Sequence, residues 1–352
     1  TQRIVERKQR SRKRQAVFLE RLSHHAHWHH VVASFRQRFA LAVVLSCCSE
    51  SAIAQQTPAP PAAHSEPWWN SPWGEDDRLG NVNNLTPEGV KRASGLVKTG
   101  KVYALGIPTA PESAAYGTRQ YTVERTPGPN ADFTSNGSQR VTSFDERVSS
   151  SMGVGTQIDG FGHLGVDHHY YNGITGKEVA TTRALQTADI PPIVTRGVLI
   201  DMTKHYGKPL LEVGDTYNRA EIEAAMKAQG VTVEKGDVVL FHTGWMAGKM
   251  LSDKDLYRSR EPGIGEDGAI FLADLGVVAI GSDTVALEAL PSPPGKTFIV
   301  HQTLLAKKGV HVLETIDTNQ LAADGVKEFL FVLGIPRMVG TVQMVINPVA
   351  IS

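Results

Sequence analysis

The stretch Gly153-Val154-Gly155-Thr156-Gln157-Ile158-Asp159-Gly160-Phe161-Gly162-His163 carries the densest chemistry in this chain. Gln157 and Asp159 lie two residues apart, so an extended strand turns both to one face. His163 follows beyond Gly160 and Gly162, a glycine-rich corner that lets the chain fold back and bring the imidazole to the two oxygens. Such a trio suits a divalent ion with bound water. A polar turn with a solvated histidine accounts for the same residues. Gly160, Gly162 and Gly165 also satisfy the spacing of a dinucleotide-binding turn, but that motif needs a helix opening within it. The residues that follow, Val166-Asp167-His168-His169-Tyr170-Tyr171-Asn172-Gly173, read as turns instead. Nicotinamide binding is therefore rejected. His168 and His169 point to opposite faces if extended, so at most one of them reaches a pocket.

Outward from this corner, short apolar runs alternate with helical stretches. Gly197-Val198-Leu199-Ile200-Asp201 and Asp237-Val238-Val239-Leu240-Phe241 read as buried strands bounded by Gly and Asp. Val277–Ile280, Glu328–Leu333 and Thr341–Ile346 read as further strands. Thr86-Pro87-Glu88 opens a helix with a cap, a first-turn proline and an acid, expected to run to Gly100. Arg219–Ala228, ended by Gly230, and Gly268–Leu275 are the other clear helices. Strands interleaved with a few helices make the fold α/β, of the mixed α+β kind. His242 shares a strand face with Val238 and Leu240 near a strand end, where α/β folds expose functional groups; a satisfied core histidine fits that position equally well.

Composition narrows the classes further. With 36 basic and 36 acidic residues, 41% apolar and 20% charged, the chain is too hydrophobic and balanced to be disordered. Residues 1–38 hold ten Lys/Arg against Glu6 and Glu20, a surplus of eight, which leaves the remainder eight negative. A mildly acidic globule argues against a nucleic-acid partner. The two cysteines, Cys47 and Cys48, are adjacent and support neither a disulfide framework nor a thiolate zinc module. No Met occurs before Met152, and residues 1–38 read as a basic leader or an over-extended reading frame. Phe39–Ala54 reads as a signal peptide: an apolar run of about ten residues, too short to span a bilayer, then Ala52-Ile53-Ala54. Residues 55–66 form a Pro/Ala linker. A periplasmic or secreted protein with no membrane segment after cleavage is expected. Trp68, Trp69 and Trp73 then cluster in an irregular segment, either a hydrophobic clamp or a platform for a substrate ring.

The central corner resembles the metal-binding signature of the cyclase family that includes bacterial kynurenine formamidases and isatin hydrolases, H-x-G-T-H-x-D-x-P-x-H. Gly155, Thr156, Asp159 and His163 match it, while Gly153, Gln157 and Phe161 stand where His, His and Pro are usual. The resemblance continues through Arg196–Asp201, Gly236–Leu240, Thr243-Gly244-Trp245, Pro262-Gly263, Gly281-Ser282-Asp283-Thr284 and His301 with Glu314. At the front, Trp73-Gly74 and Leu85-Thr86-Pro87-Glu88 look like the family's lead-in. The match covers roughly residues 67–352 and implies a single swivelling β/β/α domain.

The family's ligand pattern implies a metal held by Gln157, Asp159 and His163, with His301 and Glu314 closing the pocket. Gly153 has no ligating side chain, and an amide oxygen suits manganese better than zinc. One ion per chain, Mn or Zn, is therefore expected. The implied function is metal-dependent hydrolysis of a carbon–nitrogen bond in an amide, formamide or lactam, arylformamidase-like, with Glu314 or His301 moving the proton. Trp68, Trp69, Trp73 and His242 would shape an aromatic pocket for a small-molecule substrate, N-formylkynurenine being the nearest family substrate. A homodimer or homotetramer is implied by the family. A lyase or cyclase stabilising an enolate, and a non-catalytic binding protein, are the rival readings.

Overall fold

A computed structural model describes residues 68–127 and 137–352. The segments read above as a basic leader, a signal peptide and a linker fall outside the described residues. In chain order the strands are β1 (Val102–Ala104), β2 (Tyr121–Pro127), β3 (Phe144–Ser150), β4 (Gln157–Asp159), β5 (Ile193–Asp201), β6 (Thr216–Tyr217), β7 (Val238–His242), β8 (Gly263–Ile264), β9 (Ala279–Ser282), β10 (His311–Glu314), β11 (Glu328–Leu333), β12 (Gln343–Val345) and β13 (Val349–Ile351). Nine of them form one mixed sheet in the order β1-β13-β11-β5-β7-β9-β10-β4-β12. β2 with β3 and β6 with β8 make two small separate sheets. The class is the α/β mixture that the sequence implies.

β5, β7, β9 and β10 are mutually parallel and form the middle of the sheet. Their apolar runs are continuous because both faces are covered. Val198, Ile200, Val239, Phe241, Ile280 and Val312 enter one core. Leu199, Val238, Leu240, Ala279 and Leu313, the alternate positions, enter the other. The helices Arg219–Gln229 and Glu266–Asp274 carry the crossovers from β5 to β7 and from β7 to β9, bringing Ile222, Ala225, Ala269 and Leu272 to the first core. This winding places the last residues of the parallel strands, His242, Ser282 and Glu314, along one edge. Antiparallel β4 starts at that same edge with Gln157.

The helix after Thr86 is shorter than expected. Thr86 Oγ1 accepts the Gly89 N–H at 3.0 Å and Pro87 takes the first turn, but the helix stops at Ser94 with Gly95 as its cap. Only Ala93 of its apolar positions is buried, and Val97 lies in solvent, so no packing rewards a further turn. The expected strand over Thr341–Ile346 contracts to β12.

Gly197 is the tightest point of the sheet. It sits directly opposite Phe329 in the β5–β11 register, and a Cβ placed on it would lie 2.1 Å from the Phe329 ring. The ring lies on the bare backbone and is itself fully buried in the second core. Gly197→Ala is expected to destabilise the fold by about 2–3 kcal/mol through overpacking. Combined with Phe329→Leu it should cost less than the two single changes added together, by about 1 kcal/mol or more. Urea unfolding of the four proteins in the double-mutant cycle measures both quantities.

Candidate metal centre

Register builds the site. β10 pairs antiparallel with β4, so that Glu314 faces Gln157 and Val312 faces Asp159. β12 lies on the other side of β4 and sets Gln343 opposite Asp159. A short helix, Ile299–His301, widens into a π-helical turn over Gln302–Lys308 and hands His301 to the same place. Ligand atoms of Asp159, His301 and Glu314, all buried, lie within 4.8 Å of one another.

His301 Nε2 is 3.1 Å from Glu314 Oε1 and 3.6 Å from Asp159 Oδ2. Behind it, Glu288 Oε1 accepts both the His301 backbone N–H at 3.1 Å and the Nδ1–H at 2.7 Å. That pair of bonds fixes the ring and turns Nε2 toward the two carboxylates, as supporting carboxylates do for metal-binding imidazoles. Gln343 donates to Asp159 Oδ1 at 2.7 Å. Asp159 Oδ2 is buried and has no hydrogen-bond partner, with His163 Nε2 3.8 Å away. An orphaned carboxylate oxygen in a water-poor site is costly unless something positive completes it. Two carboxylates and an imidazole with a free oxygen among them fit a divalent cation.

Burial raises the Asp159 carboxyl, but the nearby charges of His163 and His301 and the bond from Gln343 outweigh it and hold it at about 2. Glu314 moves the other way: burial first, then the Asp159 charge, push it up to about 7. His301 is held well above the ordinary histidine range because the carboxylates of Asp159, Glu288 and Glu314 overcome its burial. His163 is lowered, mainly by burial, with Asp159 opposing.

The site opens into a cavity of about 220 Å³. Tyr116 and Phe298, edge to face at 5.7 Å, form its aromatic side, with Leu164, Val285 and Ala286 nearby. Its polar groups are Arg119, His163, His301 and Glu314. Buried Glu261 fixes one wall by accepting the Val285 N–H at 2.7 Å and the Ala286 N–H at 2.8 Å. Leu287, Phe298 and Thr315, neighbours of the site in sequence, all hold φ between +49° and +60°.

The expected site residues distribute unevenly. His163, expected as a ligand beside Asp159, lies 3.8 Å from its Oδ2 but outside the group of ligand atoms that Asp159 forms with His301 and Glu314. The ligand set expected from the sequence shifts. Gln157 turns its amide N–H groups to Glu314 at 2.5 Å and to Asp159 at 3.2 Å, so it donates to the carboxylates rather than offering an oxygen beside them. His301 and Glu314, expected to close the pocket and move protons, are the residues whose ligand atoms group with Asp159. His242 is not among the cavity's lining: its Nδ1 is 2.8 Å from Thr318 Oγ1 and 3.7 Å from Asp283 Oδ2. Trp68, Trp69 and Trp73 do not line it either. Trp69 stacks on His169 at 4.4 Å and Trp68 stands edge-on to Trp69 at 5.1 Å. Arg119, Glu261, Glu288 and Gln343 are contributors that the sequence did not single out.

His311 supports Asp159 from beneath. It stacks on Phe161 at 4.2 Å, its Nδ1–H donates to the Asp159 carbonyl at 3.0 Å, and its buried Nε2 has no partner. Burial lowers its pKa from 6.5 to about 4. The unfolded chain therefore takes up a proton that the folded protein refuses, and stability falls as the pH drops through that window. The contribution of this one group is about 3 kcal/mol between pH of about 6.5 and about 4. His311→Phe keeps the stack and should lose that part of the acid sensitivity. Urea unfolding of chelator-treated protein at both ends of the window checks it: equal pH dependence in the two proteins would assign His311 no such role.

The family model described as Putative cyclase matches residues 61–289, well over half of the chain. No curated protein gives a significant match. Among solved structures, a crystal structure described as a novel cyclase is 26% identical, with a TM-score of 0.71, covering 80% of this chain and 98% of its own. Isatin hydrolase A from Labrenzia aggregata, bound to benzyl benzoate, is 18% identical at a TM-score of 0.55, covering 73% of this chain and 94% of its own. Isatin hydrolase A from Ralstonia solanacearum is 15% identical at a TM-score of 0.54, covering 75% and 94%. The two hydrolases are similar in fold. With the matched span including Gln157, Asp159, His163 and Glu288, the chain belongs to the putative cyclase family.

Proposed function

We propose that this protein is a metal-dependent hydrolase that cleaves the carbon–nitrogen bond of an amide, formamide or lactam, in the manner of an arylformamidase. One observation carries the reading: ligand atoms of Asp159, His301 and Glu314 converge around a buried carboxylate oxygen that accepts no hydrogen bond among the described residues, and His301 and Glu314 line an aromatic-walled cavity. The fold shared with isatin hydrolases supports a hydrolytic use of such a centre. Asp159, His301 and Glu314 would hold a divalent ion, manganese or zinc, which supplies Lewis-acid polarisation of a carbonyl and acidification of water.

The chain's own residues do the rest. Glu288 keeps the His301 ring in one orientation, and Gln343 and Gln157 keep the Asp159 carboxylate oriented. His163 lines the cavity with part of its ring open to it, and its lowered pKa leaves it neutral near pH 7. It is therefore the group placed to accept the proton of an attacking water and return it to the leaving nitrogen. Tyr116 and Phe298 pack against an aromatic substrate and exclude water from its far side.

Two variants separate these roles. Asp159→Asn should lose bound metal and lower kcat/KM by about a hundredfold or more. His163→Ala should keep its metal while kcat falls by about a hundredfold or more. Elemental analysis together with turnover of aryl formamides, cyclic imides and lactams in heavy-oxygen water reads both. Stoichiometric metal in Asp159→Asn, or product without solvent oxygen, would overturn the proposal.

A further inference from the structure

Arg119 lines the cavity half-buried, and its guanidinium lies over Gly153. A Cβ built on Gly153 would come within 2.6 Å of its central carbon and of Nη1. The absence of a side chain at position 153 is what leaves the guanidinium its place. Nη1 donates to the Gly153 carbonyl at 3.2 Å, and that is the one hydrogen bond of the guanidinium among the described residues. A guanidinium has five N–H donors in a planar fork. No carboxylate among the described residues lies within ion-pair distance of Arg119, although its charge is felt by both His163 and Glu314. A cation that keeps most of its donors free, on the wall of a largely apolar cavity, is built to receive something flat and negative.

We infer that Arg119 and Gly153 form an anion subsite on the cavity wall, which takes a planar carboxylate of the bound molecule. The guanidinium takes the carboxylate through parallel N–H bonds, the Tyr116–Phe298 side takes the ring, and the scissile group is left facing Asp159, His301 and Glu314. A half-buried position favours this pairing, because screening by water is reduced there. The use of the subsite in turnover rests on the hydrolase reading above, whereas anion binding does not.

The test pairs binding with turnover. para-Aminobenzoate and its methyl ester have no scissile amide, so calorimetry with the metal-loaded protein reads recognition alone. The acid should bind at least about tenfold tighter than the ester, the scale of a charge-assisted hydrogen bond. Arg119→Gln should bring the two within about twofold, and Arg119→Lys should keep an intermediate preference. Gly153→Ala should act like Arg119→Gln, since its methyl group displaces the guanidinium. Near-ultraviolet circular dichroism confirms that each variant is folded. Equal binding of acid and ester by the native protein overturns the inference, and so does a preference that survives in folded Arg119→Gln, which would put the anion on the metal. Turnover of para-formamidobenzoate against its methyl ester completes the set. Failure to hydrolyse either one counts against the hydrolase reading and leaves the binding ratio to judge Arg119.

Discussion

The pairing of β4 with β10 is the constraint on which the rest of the molecule's chemistry depends. It sets two short segments, far apart in the chain, side by side with Glu314 opposite Gln157 and Val312 opposite Asp159. Antiparallel register is sharply specified here, since a slip of one residue would turn Asp159 into the core and Ile158 into the site. Ile158 is fully buried in the second core, which locks the choice. The parallel strands beside it fix where β10 ends, and so fix where Glu314 stands.

Once assembled, the centre concentrates negative charge among buried side chains. Asp159, Glu288 and Glu314 all approach one imidazole, and Gln157 and Gln343 supply neutral donors around them. Electrostatics of this kind do not stabilise a fold; they are kept for what they bind. The opposed shifts of Asp159 and Glu314 express it, one carboxyl held ionised and the other drawn toward neutrality by burial and then by its neighbour's charge. A divalent cation held by Asp159, His301 and Glu314 would resolve the conflict.

Much of the scaffold could be read from the residues in order. The continuous apolar runs of β5 and β7 can only be buried strands, and the capped helices beside them follow from local signals. Asp159 and His163 stood out because a glycine-rich corner and period-two spacing are local facts. Glu288, Gln343 and Arg119 did not, because each reaches the site through a register or a loop path that no window of sequence contains. β10 escaped for a similar reason: four residues are too few to show a period, and Glu314 alone looks like a surface acid. Gln157 shows the limit of residue type as a guide. Its chemistry allows either end of the amide to face a neighbour, and the carboxylates around it select the donor end. Trp68, Trp69 and Trp73 stood out by composition, yet two of them spend their faces on each other and on His169.

The left-handed backbone at Leu287, Phe298 and Thr315 has a thermodynamic consequence. Each of these residues adjoins the wall or a ligand of the site, and none is glycine. Side chains of this kind cost about 1–3 kcal/mol apiece in such conformations. Glu261 grips the same wall through two backbone N–H groups. The wall is therefore held in a conformation that an isolated peptide would abandon, and Glu261 holds it from within the protein. A substrate entering this cavity need not order the loop it touches, so less of its contact energy is lost to entropy. The molecule has accepted a less stable native state in exchange for a pocket whose shape is already decided.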